Sequence, residues 1–139
     1  MGTRGPTPRI LVVDDDPGMR HLVWLTLRPL GARLAVCTGP SEAMERLRSE
    51  PFDLLVTDHD MPGESGLDLV RRVRRESGNP NAHVRVVVMS AFDAEAHREA
   101  LVEAGVAAVV SKPFRPSELR MVVSMLLPES ALGSAIASV

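Results

Sequence analysis

Ile10-Leu-Val-Val-Asp-Asp-Asp-Pro17 is the stretch that decides the fold. Four apolar residues in a row, three of them β-branched, make a run too short for a helix. It is apolar in both alternating directions, as a strand covered on both faces must be. Asp16 and Pro17 then supply an N-cap and a proline at the first helical position. A buried strand that passes at once into a helix opens a β–α unit.

The same unit recurs along the chain. Further apolar runs are Arg33-Leu-Ala-Val-Cys37, Leu54-Leu-Val56, Val84-Arg-Val-Val-Val-Met89 and Val106-Ala-Ala-Val-Val110. Between them lie amphipathic stretches. The first extends to about Leu30, before Gly31, with Met19, Val23, Leu27 and Leu30 inward. The second runs from about Ser41 to Ser49 with Ala43, Met44 and Leu47 inward, and the third from about Leu67 to Glu76. Asp93 caps a fourth that stops at Gly105, and Pro116 opens a fifth with Leu119, Val122, Val123 and Leu126 inward. Five alternations with short connections predict an α/β fold: a (βα)₅ doubly wound parallel five-stranded sheet with helices on both faces.

Composition narrows the class. With 139 residues, 45% of them hydrophobic, the chain suits one globular domain. Its boundaries are read as an N-terminal extension over 1–8, a folded body over 9–127 and a small-residue tail over 128–139. A net charge of −2 gives no overall attraction to nucleic acid or to a membrane surface. The single cysteine, Cys37, forms no internal disulfide, and no apolar run approaches the roughly 20 residues that span a bilayer. The polar start is no secretory signal, so a cytoplasmic location is expected.

In an open parallel sheet, ligands bind beyond the carboxyl ends of the strands. After the first strand come Asp14, Asp15 and Asp16; after the third, Asp58, His59 and Asp60; after the fourth, Ser90; after the fifth, Lys112-Pro113. Three carboxylates, Asp14, Asp15 and Asp58, held about 5 Å apart would repel by roughly 3 kcal/mol per pair at an effective dielectric near 20. That total rivals the roughly 5–15 kcal/mol stability of a whole domain, so the cluster calls for a cation. All-oxygen ligation suits Mg²⁺. With the charge offset, Asp58 becomes a nucleophile towards a phosphoryl group, Lys112 a point charge for one of its oxygens and Ser90 a donor to another.

These residues resemble the receiver domain of two-component response regulators, in particular the chemotaxis-regulator-like single domains. The resemblance is carried by Ile10-Leu-Val-Val-Asp-Asp15, Leu54-Leu-Val-Thr-Asp58 with Met61-Pro62 and Gly66-Leu67, Val88-Met-Ser-Ala91, and Lys112-Pro113-Phe114. It implies a flavodoxin-like sheet with strand order 2-1-3-4-5. It implies that Asp58 accepts a phosphoryl group from a histidine kinase or histidine phosphotransfer protein and signals to a downstream protein target. Asp15 would bind Mg²⁺ directly, with Asp14, Asp58 and the main-chain carbonyl of Asp60 completing the protein ligands. Ser90 and Lys112 would contact the phosphoryl group, and the peptide before Pro113 would be cis. One departure stands out: where many receivers carry Tyr or Phe three residues before the lysine, this chain has Val109. An aromatic ring there cannot relay the signal, which leaves the loop after Ser90, or Phe92, to do so.

Other readings compete with this one. Val56-Thr-Asp-His-Asp60 offers the Asp-x-Asp of a haloacid-dehalogenase-type phosphatase, with Asp58 as nucleophile and Asp60 as acid, but the chain has no room for a cap domain. A receiver-like module that binds partners without phosphorylation is the third reading, favoured by Val109. Self-phosphorylation and autodephosphorylation aside, no enzymatic turnover is expected. Asp16 reads as a helix cap, His59 as a solvent-facing loop residue, and Arg71, Arg72, Arg74 and Arg75 as a solvated helix face. Trp24, Leu25, Met121 and Met125 fall off the inner stripes of their helices.

Overall fold

In the computed structural model, residues 7–91 and 97–128 are described. Strands β1 (Arg9–Val13), β2 (Arg33–Cys37), β3 (Leu54–Asp58), β4 (Arg85–Ser90) and β5 (Ala108–Ser111) alternate with helices α1 (Pro17–Leu27), α2 (Pro40–Ser49), α3 (Gly66–Arg75), α4 (Arg98–Glu103) and α5 (Pro116–Leu126). All four strand pairings are parallel, and the order is β2-β1-β3-β4-β5. The expected doubly wound flavodoxin-like sheet is therefore present.

Strand alternation splits the core in two. Leu11, Val13, Leu55, Val86 and Val88 face α2, α3 and α4, packing with Met44, Leu47, Leu69, Val70 and Leu101. Ile10, Val12, Leu54, Val56, Val87 and Met89 face α1 and α5, packing with Val23, Leu27, Leu119 and Val123. The central strands β1 and β3 carry side chains buried on both sides, which is why their sequences read as unbroken apolar runs.

Several boundaries shift from the sequence reading. Helix α1 ends at Leu27 and tightens into a 3₁₀ turn, Arg28–Leu30, because Pro29 has no N–H to continue the α-helical ladder. Gly31 then closes it in the left-handed region at φ 76°. Strand β5 begins at Ala108 rather than Val106. Asp93, read as a cap, and Phe92 lie outside the described residues. Asp16 does cap α1, its Oδ1 accepting from the Gly18 N–H at 3.1 Å. Helix α3 starts with a capping box in which Ser65 and Asp68 bond each other's main chain, which holds the Asp68 carboxyl below its ordinary pKa.

The arginine row on α3 is not uniformly a solvated face. Arg74 is half-buried, and its guanidinium donates to the carbonyls of Ala104 at 2.9 Å, Ala82 at 3.0 Å and Gly105 at 3.2 Å. It ties α3 to the turns before β4 and β5. Burial holds its pKa below the usual arginine value. Arg72 instead pairs with Glu64 at 2.7 Å on the surface. Asn81 is a comparable tie, accepting from the Phe52 N–H at 2.8 Å and donating to the carbonyls of Leu47 at 2.7 Å and Glu50 at 2.8 Å.

Arg74→Lys is expected to cost about 2 kcal/mol in urea unfolding, because a point ammonium cannot serve three diverging carbonyls. Arg72→Lys, at an exposed pair, should change stability by less than about 0.5 kcal/mol. Equal effects at the two positions would contradict this division of roles.

Candidate functional site

The site lies where the sheet's carboxyl edge brings β1, β3, β4 and β5 together. Asp14 directly follows β1, and Asp58 is the last residue of β3. They are 0% and 3% exposed, whereas Asp15 faces solvent. One carboxylate oxygen from each of the three lies within 4.8 Å of the others. Lys112, just past β5, reaches in: its Nζ is 2.8 Å from Asp58 Oδ1 and 3.5 Å from Asp14 Oδ2. Its main chain is anchored by the Lys112 N–H donating to the Ser90 carbonyl at 2.8 Å, and the Lys112–Pro113 peptide is cis. Ser90, the last residue of β4, is 4% exposed and pairs in register with Ser111.

Asp14 is placed by local bonds, and Asp58 by the close start of α3. The Asp14 Oδ1 accepts from the Asp16 N–H at 2.9 Å, and the Asp14 carbonyl accepts from Arg20 Nη1 at 2.8 Å. The first residue of α3, Gly66, lies against Asp58; a Cβ there would come within 2.5 Å of the Asp58 carbonyl oxygen. Only glycine lets α3 begin this close, which gives the Gly66-Leu67 pair a steric reason.

The electrostatics are unfavourable for a cluster with one cation. Desolvation, with a further push from Asp58, raises the Asp14 pKa against the opposing pull of the Asp16 N–H and Lys112. For Lys112, burial works against the ammonium. The hydrogen bond to Asp58 and the charges of Asp14 and Asp58 outweigh it, so the Lys112 pKa stands above its ordinary value. Three carboxylates facing one ammonium leave negative charge in excess, in a hard oxygen set compatible with a divalent cation.

Two neighbouring residues depart from the sequence reading. His59 is not a simple solvent-facing loop residue: it is half-buried, its ring lies 5.4 Å from that of His97, and its buried Nδ1 has no hydrogen-bond partner among the described residues. The Asp60 side chain reaches across to β4, where its Oδ2 accepts from the Ala91 N–H at 3.2 Å. Arg20 and this Asp60 contact have no counterpart in the sequence reading, where Gly66 stands only as part of the motif that carries the resemblance. Only Gly66 carried a signal there, a glycine between the third strand and the first apolar residue of a helix. Val109 lies on β5 opposite Val88, 37% exposed. At the end of β2, burial pushes the Cys37 thiol up to about 11, so it offers no ready thiolate.

Comparison with known proteins assigns the chain to a family and supports the fold. Residues 10–124 match the response regulator receiver domain family. The chemotaxis protein CheY of Pseudomonas aeruginosa is 39% identical over 116 residues, covering 81% of this chain and 90% of that protein. The sensor histidine kinase TmoS of Ectopseudomonas mendocina is 37% identical over 93% of this chain, which spans only 13% of the kinase. Other curated relatives are also longer, this chain spanning 36% and 46% of two of them. Among solved structures, a response regulator receiver protein from Pseudomonas putida superposes with a TM-score of 0.79 at 29% identity, covering 87% of this chain and 98% of that one.

Because the Asp14 pKa is raised in the folded state, its ionised form is penalised there and not in the unfolded chain. The penalty is fully present above the folded pKa and disappears as pH falls towards the unfolded value of 3.8. Asp14→Asn is therefore expected to stabilise the metal-free protein at pH 7, with the gain shrinking in acid. Urea unfolding in EDTA across pH 4–7 checks this; a destabilised variant would mean that the Lys112 contact outweighs desolvation.

Proposed function

The chain belongs to the response regulator receiver domain family, and on that footing we propose that residues 9–127 act as a phosphorylatable switch with Asp58 as phosphoacceptor. One observation carries the proposal. Asp58 ends β3 almost without solvent, with Lys112 Nζ at 2.8 Å and two further carboxylates inside the same cluster. A structural ion pair would need neither Asp14 nor Asp15.

The side chains of Asp14, Asp15 and Asp58 and the main-chain carbonyl of Asp60 would hold Mg²⁺. When bound, Mg²⁺ supplies the positive charge that offsets carboxylate and phosphoryl oxygens alike. Lys112 holds Oδ1 of Asp58, leaving the other oxygen to attack phosphorus. As that P–O bond forms, the bond from phosphorus to the donor's imidazole nitrogen breaks, and the nitrogen keeps the electron pair. Ser90 donates its hydroxyl to one phosphoryl oxygen and Lys112 its charge to another, so the protein contributes placement and charge rather than proton transfer.

The donor is a histidine kinase or a histidine phosphotransfer protein, a reading supported by the chain's similarity to part of a sensor histidine kinase. The output is a protein–protein contact rather than nucleic-acid or membrane binding, in a cytoplasmic setting. Among the described residues, no helix is long and apolar enough to cross a membrane. The family match over residues 10–124 favours the receiver reading over the phosphatase alternative.

Incubation with acetyl phosphate and Mg²⁺ should add one phosphoryl group to the native protein by intact mass. EDTA or Asp58→Asn should abolish the gain. An adduct that persists in Asp58→Asn, or no adduct on the native chain, would contradict the assignment.

A further inference from the structure

The β3–β4 ladder breaks off beside Asp58 in an informative way. The His59 N–H donates to the Met89 carbonyl at 2.8 Å. The evenly spaced rungs of a parallel pair would next run from the Ala91 N–H to the His59 carbonyl. That carbonyl is already occupied, accepting from Met61 at 3.2 Å and Gly66 at 3.0 Å as the chain turns into α3. The Ala91 N–H is thus released from the sheet at the site's edge, and the Asp60 carboxylate takes it from 31 residues away. The bond is exposed and, at 3.2 Å, long for a charge-assisted one.

A main-chain N–H freed at a strand end is an anion donor. In register Asp58 is level with Met89, and Ala91 lies only two residues beyond. A phosphoryl group built on Asp58 extends past the strand ends, towards that donor. We infer that the Asp60 carboxylate is a tethered competitor for the phosphoryl group, holding the Ala91 N–H in the resting protein and giving it up when Asp58 is modified. This rests on the receiver reading above. The device sets a threshold. Phosphorylation must displace one carboxylate, and the displaced group then stands beside the acyl phosphate as like charge.

The test uses the whole chain with Mg²⁺ and beryllofluoride as the phosphoryl mimic. Affinity is measured by titration, and the Ala91 amide is followed by ¹H–¹⁵N NMR. Asp60→Ala is expected to bind beryllofluoride roughly tenfold more tightly than wild type, with Asp60→Asn in between, since the amide still accepts but carries no charge. In the resting state the Ala91 amide should differ between wild type and Asp60→Ala; in the loaded state the two should coincide. Equal beryllofluoride affinities, or a wild-type Ala91 amide that does not respond to loading, would overturn the inference and leave Asp60 a static clasp. If wild type takes up no beryllofluoride at all, the receiver reading itself fails and this inference with it.

Discussion

Asp14, Asp15 and Asp58 hold carboxylate oxygens within 4.8 Å of one another, and two of the three are shielded from the water that would screen them. At that separation each ionised pair repels by roughly 3 kcal/mol at an effective dielectric near 20. The fold tolerates this because Lys112 closes on Asp58 and Asp14, and because the Asp14 carboxyl is bonded by the Asp16 N–H. Both devices are partial. The raised pKa of Asp14, owed first to burial and then to the charge of Asp58, marks what they leave uncompensated, and the oxygen cluster is compatible with a divalent cation.

The sheet makes such crowding possible. Parallel strands β1 and β3 are buried on both faces and pinned in register, Val13 opposite Thr57, so their terminal aspartates cannot swing apart without dismantling the core. Gly66 adds a second constraint, letting α3 start against the Asp58 carbonyl. On the far side of β4 and β5, Lys112 is carried in by a main-chain bond to Ser90. Rigid elements thus impose the repulsion, and only side chains and loops relieve it.

What was legible in the sequence follows from that division. Strand ends are set by short apolar runs, and a parallel sheet gathers them at one edge, so Asp14, Asp15, Asp58, Ser90 and Lys112 could be brought together before any coordinates. The ends of α1 and β5 moved by a few residues, because Pro29 and the turn after Gly105 act locally against the apolar pattern. The roles of Arg74, Asn81, Arg20 and Asp60 were not legible. Each bonds main-chain groups whose direction depends on loop conformation, and residue type alone does not say where a loop carbonyl or N–H points. Arg74 looks like its neighbours Arg72 and Arg75 on paper; only the packing of the turns at Ala82 and Ala104 separates it from them. His59 is a similar case, its ring lying 5.4 Å from that of His97 in a distant segment.

A divalent cation held by Asp14, Asp15 and Asp58 would relieve their repulsion, and the most direct test is the dependence of global stability on Mg²⁺. Urea unfolding of the native chain in millimolar Mg²⁺, compared with EDTA, should show a gain of about 1–2 kcal/mol, which Asp15→Asn should largely remove. Identical unfolding midpoints in Mg²⁺ and EDTA, or a gain that survives Asp15→Asn undiminished, would contradict the account.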